Sequence, residues 1–502
     1  MFFGFLIDGQ VWWRDQNLFI YLSSDITSKR ECGVLNLKVL LTSPGESFKM
    51  QTSYLPLGLG YIAGYLRERG VEVEGLDLRF LSNWDETRER IARSGADLVC
   101  IGAMTIEMPR ALAVARIARE ELGAKVALGG PHPTVCPDEV IREENVDFVV
   151  VGEGEYTTGE LVEALEGGRG LHTIKGLLYK EGEAICYNGG REPIADLDTL
   201  PYPAREIFPI KEVLSNPVTN FPLPSPALHI FTSRGCPFKC RFCQPCLDMI
   251  FGERVRYRSL DNVFSEIEYL IDRYHLRAIM IEDDTFTVNR RRAERFCEEM
   301  RRRGLDREIV WYCHSRADTI DREMIRNLKR AGCISICFGI ESGSERVLQI
   351  LGKNVSEEES WNAIRMCKEE GVLVVANIMI GTPGERVEDL EKTVRLIEST
   401  EPELVFVGIT TPTPGTYLYE DAERSGLIEA HRWTDFDRGK TGGKLKIDLD
   451  QNMLKYVRAR LSRYGFSERF LTEPHYYEAC IKRWRSLAEI GRPEEMMREI
   501  KS

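Results

Sequence analysis

Several features that would assign this chain to other protein classes are missing. Lys and Arg number 67 against 79 Asp and Glu, a formal charge of −12, so binding along a nucleic acid backbone is not expected. No apolar run approaches the ~18 residues that cross a bilayer, and the N-terminus lacks the basic residues of a signal peptide. No repeat of solenoid length is present. These absences predict a cytoplasmic globular protein without a membrane span or a nucleic acid partner.

Cysteine, by contrast, is plentiful and unevenly distributed. The 502 residues include 14 cysteines, and four of these lie in the eleven residues from Cys236 to Cys246. Without an export signal, so many cysteines indicate a reducing compartment and metal or redox chemistry. The function of the chain is therefore sought around this segment.

Strand and helix patterns alternate through the first third of the chain, which predicts an α/β domain with a parallel, doubly wound sheet. Helical stretches run from Leu57 to Arg69 and from Arg110 to Glu121. In such sheets ligands bind beyond the carboxyl ends of the strands. The predicted strands are Lys38–Leu41, Val71–Leu76, Asp97–Gly102, Lys125–Gly130 and Asp147–Gly152.

A second alternating series follows a proline-rich stretch and predicts a partial (β/α)6 barrel. Its strand candidates are 228–232, 277–282, 309–313, 333–339, 373–380 and 404–409. At roughly 150 residues per domain, the length also suggests about three domains. The predicted organisation is an N-terminal extension that could be an edge hairpin (1–35), a doubly wound domain (36–170), an extended linker (171–225), the barrel (226–425) and a small helical C-terminal cap (426–502).

The clustered cysteines have the spacing C-x3-C-x2-C, formed by Cys236, Cys240 and Cys243 directly after the first barrel strand. Three thiolates at this spacing can hold three irons of a [4Fe–4S] cluster and leave the fourth iron open to a ligand. A zinc site would normally use a second C-x2-C pair, which the sequence lacks. An electron carrier could use Cys246 as well, but the C-P ending and second run of a ferredoxin are missing. A buried thiol is the simpler interpretation of Cys246.

With this loop after the first strand, residues 226–425 resemble the radical S-adenosylmethionine (SAM) enzymes. Three further motifs follow barrel strands: Ile281-Glu282-Asp283-Asp284, Gly339-Ile340-Glu341-Ser342-Gly343 and Ile380-Gly381-Thr382-Pro383-Gly384. Acidic residues suit the cationic amine of SAM, and glycines allow close backbone approach. Arg316 could bind a carboxylate or form a scaffold ion pair. The resemblance implies SAM contacts from Phe242, Glu282, Asp283, Arg316, Glu341, Ser342 and Gly381.

Residues 37–170 resemble the cobalamin-binding domain that precedes many radical SAM cores. The loop after the first strand, 42–47, has no histidine, which resembles the subgroup whose cobalt lacks a histidine ligand. A nucleotide-binding or purely structural domain is the alternative, although the Gly-x-Gly-x-x-Gly fingerprint is absent after the first strand. His132 is interpreted as a loop residue. The implied cobalamin contacts are Ser43, Pro44, Gly45, Gly58, Met104, Thr105, Gly129, Gly130, Pro131, Gly152 and Glu153.

The two resemblances together imply a cobalamin-dependent radical SAM enzyme of the class B methyltransferase type, with a [4Fe–4S] cluster, SAM and cobalamin as cofactors. Such an enzyme would methylate an unactivated carbon by means of a 5′-deoxyadenosyl radical and methylcobalamin. Oxidation, cyclisation or rearrangement without methylation is the alternative, and an electron-transfer protein is a third. An external reductant and an organic substrate are implied: a peptide, lipid, tetrapyrrole or small molecule. No catalytic residue is assigned, and Cys100, Cys333 and Cys337 are interpreted as small core residues.

Overall fold

The computed structural model describes residues 37–50, 52–216, 218, 223–428, 449–461 and 464, together with three short strands before residue 21. The chain divides into two units, residues 1–36 and 37–502. The first unit contains an antiparallel sheet in the order β1-β2-β3. Its strands are β1 (Phe3–Ile7), β2 (Gln10–Asp15) and β3 (Leu18–Ile20).

The second unit begins with a seven-stranded sheet in the order β10-β9-β8-β7-β6-β4-β5. The strands from β4 to β8 run parallel, in the order of a doubly wound fold. Apolar runs predicted four of these five strands, because parallel strands are covered on both faces, whereas β5 alternates valine with glutamate at its start. The seven strands are β4 (Lys38–Ser43), β5 (Glu72–Asp77), β6 (Leu98–Gly102), β7 (Lys125–Gly129), β8 (Phe148–Val150), β9 (Leu177–Glu181) and β10 (Ala184–Tyr187).

The helices of this region connect the parallel strands and lead into the barrel. Helix α3 places Ala111, Val114 and Ala118 in the core at helical spacing. The helices are α1 (Leu57–Arg67), α2 (Trp84–Ser94), α3 (Met108–Leu122), α4 (Pro131–Val135), α5 (Pro137–Arg142), α6 (Gly154–Leu165) and α7 (Ile210–Ser215).

The hairpin β9–β10 corrects part of the predicted linker. Strand β9 pairs antiparallel with β8, and Leu177, Leu178 and Tyr179 are buried. The prediction relied on prolines, which accumulate only from Pro193 onwards, and it missed two short strands joined at Gly182. Residues 177–187 therefore extend the first sheet.

Six consecutive parallel strands form the predicted partial barrel, in the order β11-β14-β15-β16-β17-β18. A short antiparallel hairpin, β12–β13, brackets the cysteine segment. All six predicted strands are confirmed to within a few residues. The strands are β11 (Ala227–Ile230), β12 (Ser233–Arg234), β13 (Arg256–Tyr257), β14 (Ala278–Ile281), β15 (Val310–Ser315), β16 (Cys333–Glu341), β17 (Leu373–Ile380) and β18 (Leu404–Ile409).

Aromatic packing joins the helices to the outer face of the barrel. Trp311 of β15 lies against Phe286 and Phe296, with ring centroids 5.5 and 5.2 Å apart. The helices are α8 (Cys246–Phe251), α9 (Leu260–Tyr274), α10 (Arg290–Arg302), α11 (Leu305–Glu308), α12 (Arg322–Arg330), α13 (Glu345–Ile350), α14 (Glu357–Glu369), α15 (Val387–Thr400), α16 (Tyr417–Arg424) and α17 (Gln451–Leu461).

In the predicted C-terminal cap, α17 packs on α15, and Arg460 pairs with Glu398 at 2.8 Å. Most of the remaining cap lies outside the described residues. None of the helices in the described part of the chain combines the length and the apolarity needed to cross a bilayer.

Candidate functional site

The three predicted cluster cysteines lie on one loop between β12 and α8. The carbonyl of Cys240 accepts hydrogen bonds from the backbone N–H groups of Cys243 at 3.1 Å and Gln244 at 2.9 Å. This turn brings Cys240 and Cys243 together on a short segment. Cys240 is buried, and Cys236 and Cys243 are half-buried.

Backbone hydrogen bonds attach this loop to the rest of the barrel. The N–H of Arg241 donates to the carbonyl of Leu351 at 2.8 Å. The N–H groups of Tyr417 and Leu418 donate to the carbonyls of Gln244 and Arg241, at 2.8 and 3.0 Å. The cysteine loop is thus fixed by α13 and α16, elements far away in the sequence.

The electrostatics of the loop suit a cationic metal group. Burial raises the pKa values of the Cys236 and Cys243 thiols, and the Asp284 carboxylate adds to both shifts. Thiolates at these positions are therefore costly unless a metal compensates their charge. No three His, Cys, Asp or Glu side chains in the described part of the chain surround one common ion position. Thiolates that bind separate irons of a cluster need no such common point, so the loop fits a [4Fe–4S] cluster.

Arg316 forms the scaffold ion pair that was one of its two expected roles and also contacts the cysteine loop. Its guanidinium pairs with Asp318 at 2.9 Å, as a scaffold arginine would. The same group donates to the Cys240 sulfur at 3.4 Å and lies 3.6 Å from the centre of the Phe238 ring. A cation is thereby held next to a predicted cluster ligand.

Three of the predicted SAM contacts lie close to the cysteine loop or at the strand ends that surround it. Phe242 packs against the buried cluster of Val347, Leu351 and Leu418. The N–H of Gly381 donates to the buried Glu385 carboxylate at 2.5 Å. Glu341 has a φ of +64°, is 7% exposed and pairs with Lys353 at 3.1 Å. A non-glycine residue in this backbone region is strained, which is common at ligand sites.

Two other predicted SAM contacts have their polar atoms occupied by the scaffold. The buried Asp283 carboxylate accepts hydrogen bonds from the N–H and hydroxyl groups of Thr232 and Ser233, at 2.5 to 3.1 Å. The Ser342 hydroxyl lies 3.1 Å from that of Thr393 and accepts from the N–H of Ser344 at 3.1 Å. The polar atoms of Asp283 and Ser342 are therefore already hydrogen-bonded within the fold.

Glu282 is directed towards the lumen of the barrel. Its carboxylate accepts from the Tyr312 hydroxyl and lies 3.1 Å from Nε2 of His314. Cys337 also lies in this polar group, since its sulfur accepts from the Asn377 amide at 3.3 Å. The interpretation of Cys337 as merely a small core residue is therefore incomplete.

Sequence reasoning missed Asp284 and Lys353. Asp284 reaches solvent and accepts a hydrogen bond from the backbone of Gly235, next to Cys236. Lys353 is 4% exposed, and its ammonium donates to the carbonyl of Gly339 as well as to Glu341. Asp284 belongs to a motif that was identified, whereas Lys353 had no motif to indicate its role.

The predicted cobalamin contacts gather at the carboxyl edge of the first sheet, but only some reach solvent. Met104 is 47% exposed, an unusual position for a large apolar side chain. Gly58 and Pro131 are exposed, and Gly129, Gly130 and Gly152 are half-buried. An exposed apolar side chain at this edge fits the face of a corrin ring. The buried members of the set are Ser43, Pro44, Gly45, Thr105 and Glu153.

Protein packing explains two of these glycines without a ligand. A Cβ at Gly45 would lie 2.3 Å from Cγ of Arg79, and one at Gly130 would lie 3.1 Å from the Ala103 backbone. Gly130 also has a φ of +99°, which side chains rarely allow. Their close neighbours are protein atoms, so their absent side chains do not by themselves indicate a corrin.

His132 is a buried structural residue. Its side chain is fully buried, and Nδ1 lies 3.1 Å from the Thr105 hydroxyl. Burial lowers the pKa of His132 to about 4, so the imidazole is neutral. This geometry agrees with its interpretation as a loop residue.

Loops from the carboxyl edges of the two sheets contact each other through a buried ion-pair network. The two oxygens of Glu153 accept from Arg234 at 2.6 Å and Arg256 at 2.8 Å, while Glu155 accepts from Arg234 at 2.7 Å. These side chains are between 3% and 12% exposed. Arg234 and Arg256 belong to the hairpin that brackets the cysteine loop, so Glu153, a predicted cobalamin contact, also links the two domains.

Comparison with known proteins identifies both halves of this site. The model of the radical SAM superfamily matches residues 230–397, and that of the B12 binding domain matches residues 48–162. A relative from Pyrococcus horikoshii, described as an uncharacterized methyltransferase, is 34% identical over 432 residues, 84% of this chain and 91% of its own. The chain belongs to the radical SAM enzymes that carry a B12 binding domain. Its cofactors are accordingly a [4Fe–4S] cluster, SAM and cobalamin.

Other members of this radical SAM group differ in the reactions that their names describe. The anaerobic magnesium-protoporphyrin IX monomethyl ester cyclase of Cereibacter sphaeroides is 28% identical and matches 84% of this chain and 70% of its own. The radical SAM methyltransferase TsrM from Kitasatospora setae, solved with cobalamin and a [4Fe–4S] cluster, superposes with a TM-score of 0.67 at 17% identity. That superposition covers 92% of this chain and 99% of TsrM and supports the predicted α/β fold.

Proposed function

We propose that this radical SAM enzyme transfers a methyl group to an unactivated carbon of an organic substrate. The observation that carries the proposal is the contact between the two carboxyl edges, which brings the B12 binding domain against the cysteine loop. The name of the 34% identical relative supports methyl transfer. We assign cobalamin to residues 36–170 and the cluster and SAM to residues 226–425. The linker between these two domains continues after the hairpin at 177–187.

When bound, the cluster supplies an electron for cleavage of SAM, and cobalamin carries the methyl group. The chain itself contributes binding and orientation. Cys236, Cys240 and Cys243 hold the cluster, with Arg316 balancing the charge of the Cys240 sulfur. Asp284 lies beside the cysteine loop and accepts the cationic amine of SAM. Lys353 and Glu341 bind other polar groups of the same SAM molecule. Met104 faces the corrin from the first sheet.

We assign the source of that electron to an external reductant. The substrate lies between the two domains. The cyclase relative favours one alternative: a cyclisation, oxidation or rearrangement with the same cofactors and without methylation.

The decisive experiment gives the anaerobically reconstituted enzyme methyl-labelled SAM and dithionite. We expect labelled methylcobalamin together with 5′-deoxyadenosine. Deoxyadenosine without any methylcobalamin would favour the non-methylating alternative. A fully loaded enzyme that produced neither compound would contradict both proposals.

The cysteine assignment has a matched control in the same segment. Replacing Cys236, Cys240 and Cys243 together by Ala should abolish iron binding and deoxyadenosine formation. Cys246→Ala should retain about four irons per chain, because Cys246 lies in α8 and outside the motif. Loss of the cluster in Cys246→Ala would show that the ligand set is incorrectly assigned.

A further inference from the structure

The lumen of the barrel carries a nucleophilic and titratable cluster in which Glu282, a predicted SAM contact, meets three residues that have no role in the proposed cofactor contacts. Alternation along β15 turns Trp311 towards the helices, where it packs against Phe296. Tyr312 and His314 therefore lie on the opposite, lumen face. Cys337 is the residue paired with His314 in the β15–β16 register.

The contacts within this cluster follow the order nucleophile, base and orienting acid. His314 and Cys337 are hydrogen-bonded, and the Asn377 amide donates to the Cys337 sulfur at 3.3 Å. Nε2 of His314 also lies 3.1 Å from Oε2 of Glu282. The Tyr312 hydroxyl donates to the same carboxylate and fixes it. Cysteine nucleophiles are activated by this type of arrangement.

The charge state of His314 agrees with this geometry. Burial lowers the pKa of His314, but Cys337 and Glu282 outweigh that effect and raise it well above its usual value. Asp284 also lies within range of the imidazolium charge. At neutral pH the imidazole therefore holds a proton next to the sulfur.

The cluster lies where the two domains meet. Tyr54, from the loop after β4 of the first domain, places its hydroxyl 3.3 Å from that of Tyr312. Cys337 itself is 1% exposed, whereas the side chains of His314 and Glu282 are 27% and 18% exposed.

We propose that Cys337, His314 and Glu282 form an activated thiol site that binds a substrate carbonyl group covalently and reversibly. The Cys337 Sγ–carbon bond forms as the carbonyl π bond breaks, and the proton of His314 moves to the carbonyl oxygen. The reverse step restores the thiolate–imidazolium pair and the carbonyl, so no oxidant or reductant is consumed. The site rests on the proposed function only in placing the substrate where the two domains meet.

Thiol reactivity tests this site without turnover. The cluster-loaded enzyme is treated anaerobically with limiting iodoacetamide at pH 6.5 and 8.5, and labelled peptides are quantified by mass spectrometry. Cys313 is the internal control, because it is fully buried on the neighbouring position of β15 and faces the helices. We expect Cys337 to react at least ~10-fold faster than Cys313 at pH 6.5, and His314→Gln to reduce that rate by about 10-fold.

Propanal serves as the carbonyl probe. It should slow labelling of Cys337 but leave labelling of Cys246, outside the lumen, unchanged. If His314→Gln loses its iron, the labelling rate of Cys337 is measured in Asn377→Ala instead, since Asn377 contacts the sulfur directly. Equal labelling rates for Cys337 and Cys313 would overturn the proposal. So would a Cys337 labelling rate that is unchanged in an iron-loaded variant, or a lack of protection by propanal. Each of these outcomes is independent of the methyl-transfer assay.

Discussion

At the scale of single residues, Glu385 gives the chain a pH-dependent stability. Its carboxylate is 2% exposed, and one oxygen accepts from Gly381 and Thr382 while the other has no hydrogen-bond partner within the described structure. Burial raises the pKa of Glu385 from 4.5 to about 7. A raised carboxyl pKa favours the neutral form, so the contribution of Glu385 to stability is greatest at low pH and declines as pH rises from 4.5 through 7.

Glu385→Gln, which stays neutral, should therefore increase stability at pH 8 by up to about 3 kcal/mol and much less at pH 5. Thermal unfolding midpoints of both proteins at the two pH values measure this. A gain of equal size at both values would show that ionisation is not its cause.

Residue-scale roles were the hardest to predict from the sequence. The pair Asp283-Asp284 was identified correctly as a strand-end motif, yet only the backbone determines which carboxylate turns inward. The Asp283 carboxylate accepts hydrogen bonds from Thr232 and Ser233, while Asp284 reaches solvent beside Gly235. Such choices depend on contacts with residues some fifty positions away, which local patterns do not contain.

At the scale of elements, the cysteine loop should depend on its metal. Its backbone is attached to Leu351, Tyr417 and Leu418, but its thiols are costly to ionise when buried without a metal. Removal of the cluster with a chelator should therefore speed amide hydrogen exchange in residues 236–246. Strand β15, whose bonds do not involve the loop backbone, is the control. Unchanged exchange in the loop would contradict its coupling to the cluster.

Most helices and strands could be predicted from the sequence, unlike the roles of single side chains. Apart from β5, the buried apolar runs of the parallel strands gave the positions of β4 to β8 and of all six barrel strands. The hairpin β9–β10 was missed because only Leu177, Leu178 and Tyr179 are strongly buried. So short an apolar run does not stand out next to a proline-rich stretch.

At the scale of the whole molecule, Glu153 should control how firmly the two domains are joined. Glu153→Gln leaves Arg234 and Arg256 with less negative charge in a buried site, and removing one partner of such a pair typically costs about 3–5 kcal/mol. We expect a lower thermal midpoint and faster proteolysis between residues 188 and 225. Glu72→Gln is the matched control, because the Lys38–Glu72 pair lies at the surface, with Glu72 70% exposed, and should change little. Similar behaviour of the two variants would show that the network does not hold the domains together.

The six-stranded sheet also has a consequence for the size of molecule that the enzyme can accept. In the described part of the chain, β11 and β18 end the sheet without pairing with each other. On β18, Phe406 and Ile409 are 36% and 43% exposed. The open side of the sheet, bordered by these two apolar side chains, could therefore admit a bulky molecule laterally while the two domains stay joined by their ion pairs.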